Sequence, residues 1–241
     1  MKTSNKLFVA AVALVLGSLA TYDAALRAEY RTGRYKDPLR NYQALGLRNF
    51  DAVRVPAAGV MNVKIVAGPF AVHVDKDAAE FVHVTQHGGQ LSVALDYPKE
   101  WKWLGPRDAV RISCPRLSAL TADGSYTVGG KPQLDQLHGG GEVTVQGFRQ
   151  DSLTVRQEKS NAVLLTGNTL NWLRATVGAL PGGEPALKVE PNNHIQAADL
   201  AINNRAHLEL STAIPRLRYQ FSDSATIALS GAAARSLTPT K

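Results

Sequence analysis

Three histidines fall close together in this chain. His73 and His83 each sit at the centre of a Val-His-Val triplet, and His87 follows four residues later. On neighbouring strands His73 and His83 would stand side by side, and two imidazoles that close can ligate zinc or copper. No cysteine or carboxylate lies at a recognised ligand spacing from them. Two exposed histidines on the polar side of a sheet are the plainer explanation of the triplets, so no metal site is assigned. Trp101 and Trp103 flank Lys102 in Tyr97-Pro-Lys-Glu-Trp-Lys-Trp-Leu-Gly-Pro106. On an extended loop, indoles at i and i+2 share a face and form a flat platform. Such a platform stacks on sugar rings or sits in a membrane interface. Folded back, the same pair would cap the open end of a core. Trp101 and Trp103 are the candidate ligand platform.

Other polar residues carry less. Asp123-Gly-Ser125 and Ser222-Asp-Ser224 fall between strand-like runs, where Ser and Asp usually make turn hydrogen bonds. There is no Gly-x-Ser-x-Gly elbow, no phosphate-binding loop and no His-Glu-x-x-His. Glu142, Asp151 and Glu158 do not recur in register as a clustered acid–base site would require. Cys114, the single cysteine, alternates within Val110-Arg-Ile-Ser-Cys114 and reads as a small buried hydrophobe. No catalytic residue and no cofactor-binding residue is assigned, and we expect no enzyme and no cofactor.

The elements that position these residues are short strands. Val60–Val66, Phe70–Val74, Phe81–Thr85 and Leu91–Leu95 alternate or nearly so, with turn residues between them. Apolar couplets recur farther on, in Val143-Thr-Val145, Leu153-Thr-Val155, Leu208-Glu-Leu210 and Ile227-Ala-Leu229. One register reads Leu120, Leu134 or Leu137, Leu153, Leu173, Leu200 and Leu217. A second reads Tyr126, Val143, Val163, Leu187, Leu208 and Ile227, in steps of 17 to 24 residues. That is the range of β-solenoid coils, whose faces are buried only by stacking. The small residues Gly129-Gly130, Gly139-Gly-Gly141, Gly167, Gly231, Asn192-Asn193 and Asn203-Asn204 would serve the corners. An antiparallel sandwich also yields many short strands, but does not require two registers to advance together. The expected fold is therefore all-β: a right-handed parallel β-helix-like solenoid of short strands, preceded by an N-terminal apolar helix.

Lys2 and Lys6 precede an uncharged apolar stretch from Leu7 to Tyr22. As a signal peptide it would be cleaved near Ser18-Leu19-Ala20. As an anchor it is slightly short for a bilayer. We read residues 7–22 as an anchor ahead of a cleaved signal, and the chain as exported. The net charge of +7 invites a nucleic-acid reading, but Arg27, Arg31, Arg34, Lys36, Arg40 and Arg48 crowd into one segment. A membrane-proximal stalk, with Tyr30, Tyr35 and Tyr42 at headgroup depth, or a plain solvated linker fits that better. No nucleic-acid partner is expected. The boundaries read as 1–22 signal peptide or anchor, 23–47 basic stalk or linker, 48–231 β domain, and 232–241 disordered tail.

Gly59-Val-Met-Asn-Val-Lys-Ile-Val-Ala-Gly68, Phe70-Ala-Val-His-Val-Asp75 and Gln90-Leu-Ser-Val-Ala-Leu95 share a pattern of strands and glycines with a known family. Gly140-Gly-Glu-Val-Thr-Val-Gln-Gly147, Leu153-Thr-Val-Arg156 and Ala162-Val-Leu-Leu-Thr-Gly167 extend it. Over roughly residues 50 to 231 the chain resembles the bacterial "putative autotransporter adhesin, head GIN domain" family, frequent in Bacteroidota. It departs from typical members at Trp101–Pro106 and Leu180–Pro185. The resemblance implies a parallel β-helix-like fold on an exported protein and no enzyme activity. The expectation is a non-enzymatic protein of the bacterial cell envelope, periplasmic or surface-exposed, binding an unknown envelope protein or glycan and tied to the membrane by its N-terminal segment. The alternatives are a carbohydrate-active enzyme on the same scaffold, or a structural or sensory component anchored in the inner membrane.

Overall fold

The computed structural model describes residues 3–33, 36–134, 140–159 and 162–236. Lys2, Arg34, Tyr35, Leu137, Gly139 and the tail from residue 237, all named above, lie outside the described residues.

The chain divides into two compact units, Met1–Tyr42 and Gln43–Lys241. In the first, one helix, α1, runs Thr3–Thr32. Ala, Leu, Glu and Arg supply the propensity, and Asp23 pairs with Arg27 at 2.9 Å one turn on. Gly33, at φ 68°, follows its end. The span Asn5–Thr32 is long and apolar enough to cross a membrane, by length and composition. A signal sequence meets the same test. Thirty residues of helix measure about 45 Å, more than a hydrocarbon core needs.

The second unit contains the strands β1 (Tyr42–Leu45, which begins at the boundary), β2 (Ala52–Val55), β3 (Asn62–Ala67), β4 (Ala71–Asp75), β5 (Val82–His87), β6 (Gln90–Tyr97), β7 (Asp108–Cys114), β8 (Ala119–Ala122), β9 (Ser125–Val128) and β10 (Lys131–Leu134). They are followed by β11 (Glu142–Gln146), β12 (Arg149–Gln157), β13 (Ala162–Thr166), β14 (Thr169–Val177), β15 (Ala186–Val189), β16 (His194–Ile202), β17 (His207–Leu210), β18 (Arg216–Phe221) and β19 (Thr226–Leu229). A short helix, α2 (Gly231–Ser236), comes last, at the start of the segment read from sequence as a tail.

The solenoid expectation is corrected. The strands form two large mixed sheets, of nine and ten strands, in a sandwich-type fold. The first runs β1-β4-β7-β3-β11-β13-β15-β17-β19. The second runs β10-β9-β6-β2-β8-β12-β14-β16-β18, with β5 beside β6. Antiparallel pairs β4–β7, β5–β6 and β9–β10 lie in the same sheets as parallel ones. Moreover β3 inserts between β7 and β11, and β2 between β6 and β8, out of chain order. A β-helix stacks each coil on the next in sequence, and these hairpins and insertions break that rule.

The physical reason for the misreading is that the couplet repeat is genuine but local. Val143, Val163, Leu187, Leu208 and Ile227 do stand opposite one another in one parallel row. Tyr126 belongs to the other sheet. In the first register, Leu153, Leu173 and Leu217 share a row with Ala198. Leu120 and Leu200 lie in the next row, with Val155 and Ala175. The repeat covers only β11 to β19, where successive strands alternate between the two sheets. Inward residues from both sheets join in a single core that includes Val63, Ile112, Val143, Leu165, Leu173, Leu187 and Leu208. Burying each such side chain contributes about 1.5–3 kcal/mol.

Candidate functional site

Trp101 and Trp103 lie in the segment between β6 and β7, and its anchor is Tyr97. Along β6, Leu91, Val93, Leu95 and Tyr97 alternate inward, so the last strand position carries a large ring into the core. That ring lies 5.2 Å from Phe81 and 6.2 Å, edge-on, from Tyr126. Its hydroxyl donates to the carbonyl of Lys102 at 2.6 Å. Burial first, and then the charge on Tyr126, push the Tyr97 phenol up to about 12. It therefore stays protonated, and stays a donor, across the ordinary pH range. The Lys102 ammonium lies 5.3 Å from the centroid of Phe81, at cation–π distance.

Lys102 is thus held at its carbonyl and at its side chain, while its neighbours are exposed: Trp101 by 52% and Trp103 by 67%. The indoles do not cap the core; Tyr97 and Phe81 are the buried rings at this place. The base of the loop is also fixed. Gly129 donates its N–H to the Tyr97 carbonyl at 2.7 Å, and Thr127 bonds Asp96. Lys99, Lys102 and Arg107 outnumber Glu100 in the segment, so its local charge is positive. Two large aromatic surfaces in water on a tethered loop can stack against the apolar face of a sugar ring or enter a lipid interface. Sequence reading singled out both tryptophans but missed Tyr97 as their tether. The signal was present, because Tyr97 is in phase with the buried residues of β6.

The remaining candidates are dispersed. His73, on β4, faces Arg111 of β7 in the first sheet, whereas His83 and His87, on β5, belong to the second. The side-by-side placement required for a shared metal is therefore corrected: a sequence neighbour has crossed to the other sheet. No group of three or more potential metal ligands occurs among the described residues. Glu142 lies 3.9 Å from Lys188 in the first sheet. In the second, Asp151 accepts from Asn171 and Glu158 pairs with Arg156. Asp123 accepts from the Gly124 N–H and the Ser125 hydroxyl, both at 2.7 Å, and Ser222 and Ser224 donate to the Asn204 carbonyl. The Asp123 bonds lie within one turn, and the Asn204 bonds tie two successive turns to each other. Cys114 is buried, which is the main cause of its thiol being pushed up to about 12.

A buried asparagine ladder closes one corner between the sheets. Asn168 donates to the Val145 carbonyl and to Asn193 Oδ1, and accepts from the Phe148 N–H, each at 3.0 Å. Asn193 in turn donates to the carbonyls of Leu165 and Glu190, and Thr212 donates to the Asn193 carbonyl. Sequence reading placed Asn192-Asn193 at a corner but passed over Asn168.

No protein-family profile matches this chain, so the head GIN resemblance is not confirmed, and no curated protein matches it. Among solved structures, the chain is similar to a putative adhesin from Bacteroides fragilis NCTC 9343, with 12% identity, a TM-score of 0.46, and 78% of this chain and 95% of that one covered. A putative adhesin from Parabacteroides distasonis ATCC 8503 shows 12% identity and a TM-score of 0.41, over 79% and 93% of the two chains. A putative lipid binding protein from the same organism shows 12% identity and a TM-score of 0.31, over 79% and 94%.

Proposed function

We propose that this protein is a non-enzymatic binding protein of the bacterial cell envelope. α1 holds it in the membrane, and the β domain offers Trp101 and Trp103 to a glycan. The observation that carries this reading is the loop itself: two exposed indoles on either side of a lysine that is tied to the core through Tyr97 and Phe81. Each exposed indole offers a large apolar surface, and the tether on Lys102 limits the backbone freedom the loop loses on binding. The dispersal of Glu142, Asp151 and Glu158 over two sheets speaks against the carbohydrate-active enzyme.

The test is retention of the full chain, in mild detergent, on a printed glycan array and on purified peptidoglycan sacculi. Stacking is worth about 0.5–1.5 kcal/mol per ring, so Trp101→Ala/Trp103→Ala is expected to weaken a retained glycan by roughly 5- to 150-fold. The thermal midpoint should not move. Glycan binding that is equal in the double variant, or no retention on any glycan, rejects the reading.

A further inference from the structure

A second constellation lies on the outer face of the ten-stranded sheet. Alternation along β14, β16 and β18 places Arg174, Asp199 and Arg218 opposite one another in one cross-strand row. Thr176, Ala201 and Gln220 form the next outward row. The small side chains of Thr176 and Ala201 leave a shallow, open groove of about 370 Å³, bordered by Arg174, Asp199, Arg218, Tyr219 and Gln220.

The arginines are not equivalent. Asp199 accepts from the Trp172 indole N–H at 3.2 Å through one oxygen and pairs with Arg218 Nε at 3.1 Å through the other. The Arg218 guanidinium also lies 5.5 Å from the centroid of Trp172. Its position is thereby set at Nε, and both oxygens of Asp199 are already engaged. Arg174 has no ion pair or side-chain hydrogen bond to another described residue, and neither have Thr176 or Gln220. One unneutralised guanidinium, a hydroxyl and an amide therefore face one small groove, about 10 Å (two strand spacings) across from Arg174 to Arg218.

We propose that this groove binds an acidic saccharide, a sugar unit carrying a carboxylate within a short oligomer. Arg174 takes the carboxylate through its planar fork of donors. Thr176 and Gln220 meet ring hydroxyls, and the Arg218 edge accommodates the neighbouring unit. The volume falls in the range of small-molecule sites, and a largely apolar floor with a few polar groups at its edge, Arg174, Thr176 and Gln220, suits the apolar face and the polar rim of a sugar ring. The site is independent of Trp101 and Trp103.

That independence makes the test clean. The chain has three tryptophans, so Trp101→Phe/Trp103→Phe leaves Trp172 alone as the reporter beside the groove. This full-length protein is titrated with trigalacturonic acid while Trp172 emission is followed, with galactotriose and sodium phosphate at matched ionic strength as controls. A saturable change with the acidic trisaccharide only is expected. In the same background Arg174→Gln should weaken it at least tenfold and Arg174→Lys by less, while Arg149→Gln, on the same face but outside the groove, leaves it unchanged. Denaturation midpoints of all variants are recorded alongside. Arg174 is exposed, and Gln220→Ala, on the outermost strand, supplies a second variant, expected to weaken binding several-fold. No saturable response, an equal response to galactotriose or phosphate, or undiminished binding in folded Arg174→Gln overturns the proposal. Failure of the tryptophan platform would leave this titration unaffected.

Discussion

Replacing Asn168 with alanine tests whether the asparagine ladder holds the sheets at their corner. The side chain is fully buried and makes three hydrogen bonds to Val145, Asn193 and Phe148. Alanine leaves the Phe148 N–H without its acceptor and takes a donor from the Val145 carbonyl. Each buried group stranded in this way costs about 1–3 kcal/mol, so the substitution should cost roughly 2–6 kcal/mol. Domain stabilities are typically about 5–15 kcal/mol, so the shift is a large share of the total. The assay is equilibrium urea unfolding of the full chain in mild detergent, followed by circular dichroism of the β signal. Asn192→Ala is the matched control. Asn192 accepts from the Gly167 N–H at 2.9 Å but is exposed, so water replaces it and the cost stays under about 1 kcal/mol. Asn168→Ala within about 1 kcal/mol of the wild type, or Asn192→Ala matching it, would refute the reasoning.

Further expectations concern the opposite corner, the loop and the alkaline limit. Gly178 has φ 70°, and a Cβ there would lie 2.3 Å from the Asn203 carbonyl oxygen, whereas Gly147, at φ 82°, has open space. Gly178→Ala should therefore lower the thermal midpoint clearly more than Gly147→Ala, which carries backbone strain alone. Tyr97→Phe removes the bond that tethers the loop, so trypsin should cut after Lys102 faster in that variant, with far-UV dichroism unchanged; equal cleavage rates would count against the tether. Cys114 and Tyr97 are weak acids whose folded values, about 12, exceed the ordinary 9.0 and 10.0. Above pH 9 the unfolded chain loses these protons first, so stability should be intact below pH 9 and fall steadily toward pH 12. In the same protein Cys114 should resist a thiol reagent at pH 8 until denaturant is added, and rapid labelling without denaturant would show it to be accessible.

Much of the strand content was legible because buried and exposed residues alternate so regularly, as Val143 and Val145 do on β11. The row Val143, Val163, Leu187, Leu208 and Ile227 could be read from spacing alone, since parallel strands repeat in register. The architecture could not be read. Alternation marks a residue as inward without saying into which sheet its strand goes, and that is decided by turns such as His87-Gly-Gly-Gln90 between β5 and β6. The same ambiguity misplaced His73 relative to His83. At the candidate site the tryptophans stood out by type, whereas Tyr97 was hidden among the core residues of β6. The Arg174–Asp199–Arg218 row was invisible in sequence because its members lie 25 and 19 residues apart and meet only through strand pairing.

The most direct test of an anchored binding domain outside the cytoplasm is protease accessibility in cells expressing the full chain. The expected result is a protein released from membranes only by detergent, with its β domain digested on intact cells or, if periplasmic, once spheroplasts are made. A protein recovered in the soluble cytosolic fraction, or protected in spheroplasts until they are lysed, would contradict it.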